Sequence, residues 1–136
     1  MNLFLGTVQF GMDYGIAGQR KPTIENSLGC LDYAVQNGVT AIDTATVYGT
    51  AKQVVGAFLK SRTVPREKLF ASSKLAPGLL DSCAPADYEK VIEIALDEVL
   101  STLNTDYLDA CMFHSSKYAM CPEMLEARRV YKARKS

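Results

Sequence analysis

The 136-residue chain lacks tryptophan, contains a single histidine and carries no excess of either charge. Its 15 Lys and Arg residues balance 15 Asp and Glu residues, which excludes a strongly basic nucleic-acid binder and an acidic solvating tail. No apolar run approaches the roughly 20 residues that a membrane span needs. The first residues lack a basic leader with a long apolar core, so we expect no signal peptide and a cytoplasmic location.

Cysteine is present but shows no metal-binding or disulfide pattern. The four cysteines lack any CxxC pair, and one histidine is too few for the usual zinc motifs. We therefore expect no metal site, no disulfide framework and a reducing compartment. Cys111 lies in an apolar run, which favours a core position over a nucleophile.

The remaining composition is that of an ordinary globular protein, with 48% hydrophobic and 22% charged residues. Its length fits one domain, or half of a large one. Because no low-complexity segment or linker divides the sequence, we predict a single domain over residues 1–136.

Short apolar runs alternate with longer helical patterns. Four strands are predicted. The first, together with the residues by which the chain leaves it, covers residues 3–10, and the others cover 39–45, 68–74 and 108–114. Four helices are predicted. The first is capped by Thr23 and ends at Asn37-Gly38, two more cover residues 50–60 and 87–103, and the last begins at Pro122.

This βα alternation predicts an α/β fold with a parallel sheet and right-handed crossovers. Two architectures are compatible with it. One is a small doubly wound sheet with helices on both faces, and the other is part of a (β/α)8 barrel, which in full needs about 250 residues. Periodicity alone does not choose between them.

Four reactive side chains fall at or just beyond the carboxyl ends of predicted strands: Asp43, Tyr48, Lys74 and His114. In both architectures this end of the sheet is where ligands bind. Each residue alone also has an ordinary structural interpretation, as a turn cap, a half-buried aromatic, a solvated lysine or a core histidine. Four such residues at one end of successive strands make a shared site the stronger hypothesis.

Proton transfer to a carbonyl oxygen is the chemistry that these four groups can share. A nearby ammonium favours the phenolate form of a tyrosine, and Lys74 can supply that charge while Asp43 holds it by an ion pair. Tyr48 is then the general acid, and His114 orients the substrate oxygen through a hydrogen bond. The hydride has to come from a reduced nicotinamide.

Several segments resemble the aldo-keto reductase family, in particular its bacterial members. Residues 6–11 (GTVQFG) resemble the opening of the family, and residues 43–49 (DTATVYG) resemble its long DTAxxYG signature. Residues 72–74 (SSK) are similar to its strand that ends in lysine, and residues 103–109 (LNTDYLD), followed by His114, are similar to its TDYxD segment. The motifs stand in family order along essentially the whole chain.

The resemblance implies a (β/α)8 barrel and an Asp43, Tyr48, Lys74 and His114 tetrad that reduces aldehydes and ketones with NADPH and without metal. It further implies cofactor contacts at Thr7, Val8 and Asp43. Two departures are Ala51-Lys52, where the family often has Ser-Glu, and Ser115-Ser116, where many members have a proline. The substrate is not predicted, because the specificity loops of the family lie largely beyond these residues.

Length is the largest departure, because the sequence ends at Ser136, where the fourth helix of the family fold finishes. We therefore expect a (βα)4 half-barrel without most of the cofactor site, which by itself reduces carbonyls poorly or not at all. Four strands cannot close a barrel of eight, so their edges and inner face stay open. The alternatives are a homodimer that completes the ring, a flattened open sheet, a truncated fragment, a non-catalytic interaction module or an unrelated small α/β protein.

Overall fold

A computed structural model describes residues 3–16, 19–61 and 63–120 of the chain. Within them, four parallel strands form one sheet in sequence order: β1 (Phe4–Gly6), β2 (Ala41–Asp43), β3 (Phe70–Leu75) and β4 (Ala110–Phe113). Neighbouring strands pair in one continuous register, in which Gly6, Asp43, Ser72 and Ala110 lie side by side. The predicted parallel α/β sheet is confirmed.

The strands alternate with helices along the described residues. These are α1 (Val8–Gly11), α2 (Ile24–Gln36), α3 (Ala51–Ser61), α4 (Tyr88–Leu103) and α5 (Lys117–Met120), with 3₁₀ turns at Arg66–Lys68 and Pro85–Asp87. No helix in this part of the chain combines the length and apolar character that a membrane crossing needs. The helix predicted from Pro122 lies outside the described residues.

Helix α2 begins and ends where its sequence signals predict. The Thr23 side-chain oxygen accepts a hydrogen bond from the Asn26 N–H at 3.1 Å, which satisfies a free donor of the first turn. The helix ends before Asn37, and Gly38 follows with a φ of 88°, a conformation that glycine adopts without strain. Both Ile24 and Leu31 lie on the predicted apolar face of this helix. Leu31 is fully buried, whereas Ile24 is exposed.

The strands are shorter than the apolar runs that predict them. Residues 8–10, which the sequence assigned to the exit of the first strand, are helical, since the Phe10 N–H turns back to the Thr7 carbonyl oxygen at 2.9 Å. Lys68 belongs to a 3₁₀ turn and not to β3, because its N–H donates to the Pro65 carbonyl oxygen at 3.0 Å. Thr50 precedes α3 instead of lying within it.

The two faces of the sheet have different environments. One face packs against the helices through fully buried residues that include Leu31, Ile42, Val55, Leu75 and Ile92. The other face is concave and open, and on it Phe4, Phe70 and Met112 are 57%, 39% and 44% exposed. Helices in the described residues thus cover only one face, as in a section of a barrel and unlike a doubly wound sheet.

Arg66 connects β3 and β4 at their amino-terminal end. Its guanidinium donates to an Asp109 carboxylate oxygen at 2.9 Å and to the Thr105 hydroxyl at 3.0 Å, and it lies 4.0 Å from the centre of the Tyr107 ring. The same Asp109 oxygen accepts from the Ala71 N–H at 2.9 Å. These contacts fix where β4 starts against β3, and therefore which residues lie at the opposite, carboxyl end.

Candidate active site

The fold brings the four predicted site residues to the carboxyl end of the sheet. Asp43 is the last residue of β2, Lys74 is the penultimate residue of β3, and His114 follows β4 directly. Tyr48 lies in the loop between β2 and α3. Parallel strands in register place these ends together, so residues 31 to 71 positions apart in the sequence become neighbours in space.

Asp43 and Lys74 form an ion pair across adjacent strands. The Lys74 Nζ lies 2.7 Å from Oδ1 and 2.5 Å from Oδ2 of Asp43. Asp43 pairs with Ser72 in the register, and Lys74 is two residues further along β3, so all three side chains project from the same face. The Ser72 hydroxyl also donates to Asp43 Oδ1, at 2.9 Å, and completes the binding of the carboxylate.

Tyr48 lies near both the Lys74 ammonium and the His114 imidazole. The Lys74 Nζ is 5.6 Å from the centre of the Tyr48 ring. The His114 ring meets the same ring edge-on, at a centroid distance of 6.4 Å and an interplanar angle of 83°. Tyr48 is half-buried and His114 is exposed, so a small molecule in solvent can reach both.

The loop that carries Tyr48 continues to bond to β3 after β2 has ended. The Thr44 N–H donates to the Ser72 carbonyl oxygen at 3.0 Å. The Thr46 N–H and its hydroxyl both donate to the Lys74 carbonyl oxygen, each at 3.1 Å. The backbones of Lys74 and of the Tyr48 loop are therefore held directly to each other.

Sequence reasoning missed Ser72 and Thr46 as parts of this site. Ser72 could have been found from strand alternation, since it lies two positions before Lys74 and must face the same way. Thr46 gave no comparable signal, because its bond to the Lys74 carbonyl oxygen depends on the course of a loop.

The predicted cofactor residues differ in their access to a ligand. Thr7 is fully buried, and its N–H and hydroxyl both donate to the Asp43 carbonyl oxygen at 3.0 Å, so its side chain has the least geometric support for a ligand contact. Val8 and Asp43 are partly exposed. Next to Asp43 the concave face is open, since a Cβ built on Gly6 would have no heavy atom within 4 Å.

A second polar cluster holds the loops after β3 and β4 together. Lys117 Nζ lies 2.5 Å from an Asp81 carboxylate oxygen, and the Tyr118 hydroxyl donates to the other. Hydrogen bonds from the Lys117 ammonium and then from the Tyr118 hydroxyl lower the pKa of Asp81, while burial and the bond to Asp81 raise the pKa of Tyr118. The cluster ties α5, three residues beyond His114, to the β3 side of the site.

Cys111 lies in β4 and is partly buried against the core. Burial raises the pKa of its thiol to about 12, which keeps the thiol protonated at neutral pH. This agrees with the prediction of a core residue and not a nucleophile.

A parallel sheet covered by helices on one face and open on the other defines a section of an α/β barrel, with its polar groups at the carboxyl mouth. The Aldo/keto reductase family model matches residues 2–128, so the chain belongs to that family. The resemblance seen in the motifs is thereby confirmed.

Two curated relatives are named as reductases of carbonyl compounds. Methylglyoxal reductase YeaE of Escherichia coli is 39% identical over 113 residues, which cover 82% of this chain and 34% of that protein. An NAD/NADP-dependent indole-3-acetaldehyde reductase of Schizosaccharomyces pombe is 40% identical over 82 residues, 60% of this chain and 25% of the relative. The chain thus spans about a quarter to a third of the length of these relatives.

Solved structures show the same architecture. An aldo-keto reductase from Pseudomonas aeruginosa superposes with a TM-score of 0.70 at 24% identity, over 96% of this chain and 50% of that one. A Bombyx mori aldo-keto reductase in complex with NADP has a TM-score of 0.61 at 26% identity, over 82% of this chain and 33% of that one. The predicted half-barrel fold class is confirmed, since the chain corresponds to part of each barrel.

Proposed function

We propose that these 136 residues carry the proton-donating half of a carbonyl reductase site, with Tyr48 as the general acid. The observation that carries the proposal is the position of the Tyr48 ring, which has Lys74 Nζ at 5.6 Å from its centre and the His114 ring at 6.4 Å. A phenol that can gain charge on losing its proton is placed beside a cation, at the end of the sheet where this architecture binds ligands.

Each neighbour has a separate role in the proton transfer. Tyr48 gives its proton to the carbonyl oxygen, and the Lys74 ammonium stabilises the phenolate that remains. Asp43 holds Lys74 in place through two short contacts. His114 is exposed and donates a hydrogen bond to the carbonyl oxygen, which orients the substrate.

The residues present fit a flat cofactor ring beside Asp43, because Gly6 leaves open space there and Ala110 adds only a methyl group. When bound, a reduced nicotinamide supplies the hydride. We propose NADPH as the cofactor, with contacts from Val8 and Asp43, while the fully buried Thr7 supports the site from behind through its two hydrogen bonds to the Asp43 carbonyl oxygen. Support for this choice comes from the Bombyx mori relative, whose structure is a complex with NADP.

Small carbonyl compounds are the proposed substrates, since YeaE is a methylglyoxal reductase. These 136 residues alone should turn such substrates over slowly, because they span only about a quarter to a third of the relatives that act as complete enzymes. The sequence-based prediction of a cytoplasmic location stays a prediction.

The test has two parts. The oxidation of NADPH by methylglyoxal is monitored through the absorbance of NADPH at high protein concentration, and NADPH binding is measured by a fluorescence titration. We expect weak NADPH binding and slow turnover that Tyr48→Phe abolishes. Tyr33→Phe is the matched control, because Tyr33 is 71% exposed and lies on α2. Turnover that survives Tyr48→Phe would refute the role of Tyr48 as the general acid. Tight NADPH binding with fast turnover would refute the proposal that these residues carry only half of the site.

A second candidate function is a non-catalytic interaction module or self-completing homodimer, favoured by the open concave face with exposed Phe4, Phe70 and Met112. Within the described residues, β1 and β4 each pair with one neighbour, which leaves two strand edges for a partner. Light scattering separates the two forms. A stable dimer supports completion of a ring by two copies, and a monomer that binds a separate protein supports the interaction module. The absence of NADPH-dependent turnover in both the dimer and the monomer would favour this candidate over the reductase.

A further inference from the structure

We propose that Gly11 is a positioning residue, which together with Gly49 fixes the backbone of Tyr48 by close contact between two chain segments. The role of Tyr48 as an acid rests on the proposed function above. The placement of Tyr48 by Gly11 rests on geometry alone.

The α1 segment meets the Tyr48 loop at a distance that excludes any side chain. A Cβ built on Gly11 would lie 1.6 Å from the Tyr48 carbonyl oxygen and 2.4 Å from the Ala51 nitrogen. A Cβ built on Gly49 would lie 2.2 Å from the Gly11 carbonyl oxygen. Since every one of these neighbours is a backbone atom, no side-chain rotation can relieve the clash.

Hydrogen bonds join the same two segments at both ends of the loop. The Thr50 N–H donates to the Gly11 carbonyl oxygen at 3.1 Å. At the other end, the buried Thr7 donates twice to the Asp43 carbonyl oxygen. Residues 7 and 11 therefore hold the start and the end of the segment that carries Tyr48, which gives the GTVQFG motif a structural role.

The contact at Gly11 acts on Tyr48 itself. The Ala51 N–H donates to the Tyr48 carbonyl oxygen at 3.0 Å, and the Cβ of a residue larger than glycine at position 11 would clash with both of these atoms. Gly49 has a φ of 53°, so the residue after Tyr48 is already in a conformation that other residues adopt at a cost. A displacement here moves the Tyr48 ring relative to Lys74 and His114, which are held by β3 and β4.

The decisive variant is Gly11→Ala, with Gly29→Ala as its matched control. Gly29 lies within α2, and a Cβ added there would have no heavy atom within 4 Å, so the control adds the same methyl group to open space. In the full chain we expect Gly11→Ala to shift the NMR signals of the Tyr48 ring and to accelerate exchange of the Thr50 and Ala51 amides. Gly29→Ala should leave all of these unchanged.

Kinetics distinguish positioning from general destabilisation. In Gly11→Ala we expect kcat with methylglyoxal to fall by up to about 100-fold, the effect of a misplacement of about 1 Å, while KM stays close to that of the unaltered chain. A folded Gly11→Ala chain with unchanged Tyr48 signals, amide exchange and kcat would overturn the proposal.

Two further results keep the proposal testable. If Gly11→Ala does not fold, amide exchange in the unaltered chain decides, because Thr50 and Ala51 must be protected there, and fast exchange at both would overturn the proposal. If the unaltered chain shows no turnover, the proposed function fails, whereas the NMR comparison still tests the placement of Tyr48.

Discussion

Lys74 reaches from β3 to Asp43 at the end of β2, and its Nζ lies within hydrogen-bond distance of both carboxylate oxygens. The two side chains are only 21% and 25% exposed, so solvent screens their charges incompletely. The pair thus joins adjacent strands and places a cation beside Tyr48.

We expect the pair to contribute to stability as well as to the site. A double-mutant cycle of Lys74→Met and Asp43→Asn, measured by urea unfolding, should give a coupling free energy of about 0.5–3 kcal/mol. The Lys117 and Asp81 pair is the comparison, because its side chains are 50% and 45% exposed and its coupling should be smaller. Equal coupling in both pairs would contradict this account of burial.

Ser72→Ala should cost about 1.5–3 kcal/mol of unfolding free energy, because it removes a hydrogen bond to a charged carboxylate. Ser73→Ala is a control in the next position of the same strand. Ser73 is fully buried, and its hydroxyl has no hydrogen-bond partner among the described residues. Its replacement should therefore be close to neutral or stabilising, and a larger loss for Ser73→Ala than for Ser72→Ala would contradict the assignment.

The Asp81 cluster should make stability depend on pH in the acid range. Bonds from Lys117 and Tyr118 place the pKa of Asp81 in the folded chain below its ordinary value of about 3.9. Their stabilising effect is then fully present above that ordinary value and is lost as the pH falls through the lowered pKa. Unfolding at a series of pH values should show Asp81→Asn less stable than the unaltered chain at pH 7, with the difference disappearing in acid; a constant difference would contradict it.

Cys111 should resist alkylation while the chain is folded. Its pKa of about 12 leaves almost no thiolate at pH 8, and it packs against the core, whereas Cys30 on α2 is exposed. Iodoacetamide labelling read by peptide mass spectrometry should modify Cys30 first and Cys111 only after urea is added. Equal labelling of both in the folded chain would show that β4 opens readily.

Local signals in the sequence predicted local structure well. The Thr23 cap and the Asn37-Gly38 end define α2 correctly because both act through bonds to residues a few positions away. The four site residues were also predicted to lie together, since the carboxyl ends of parallel strands meet at one edge. Their function as a catalytic site stays a prediction.

Contacts between distant segments could not be predicted from the sequence. Helix α1 was missed because its four residues are shaped by the approach of Gly11 to Tyr48, 37 positions away. Lys68 was assigned to a strand, but it ends a 3₁₀ turn that begins at Arg66, whose guanidinium bonds to Asp109 just before β4. In both places a tertiary contact overrides the local pattern.

The most direct test of the central claim is a nuclear Overhauser effect between the ring protons of Tyr48 and His114 in the full chain. The two rings meet edge-on with a centroid distance of 6.4 Å, so we predict a clear cross-peak that disappears when Tyr48 is replaced by leucine. A folded chain, with the expected effects between neighbouring strands but none between these two rings, would contradict the convergence of the phenol and the imidazole at one site.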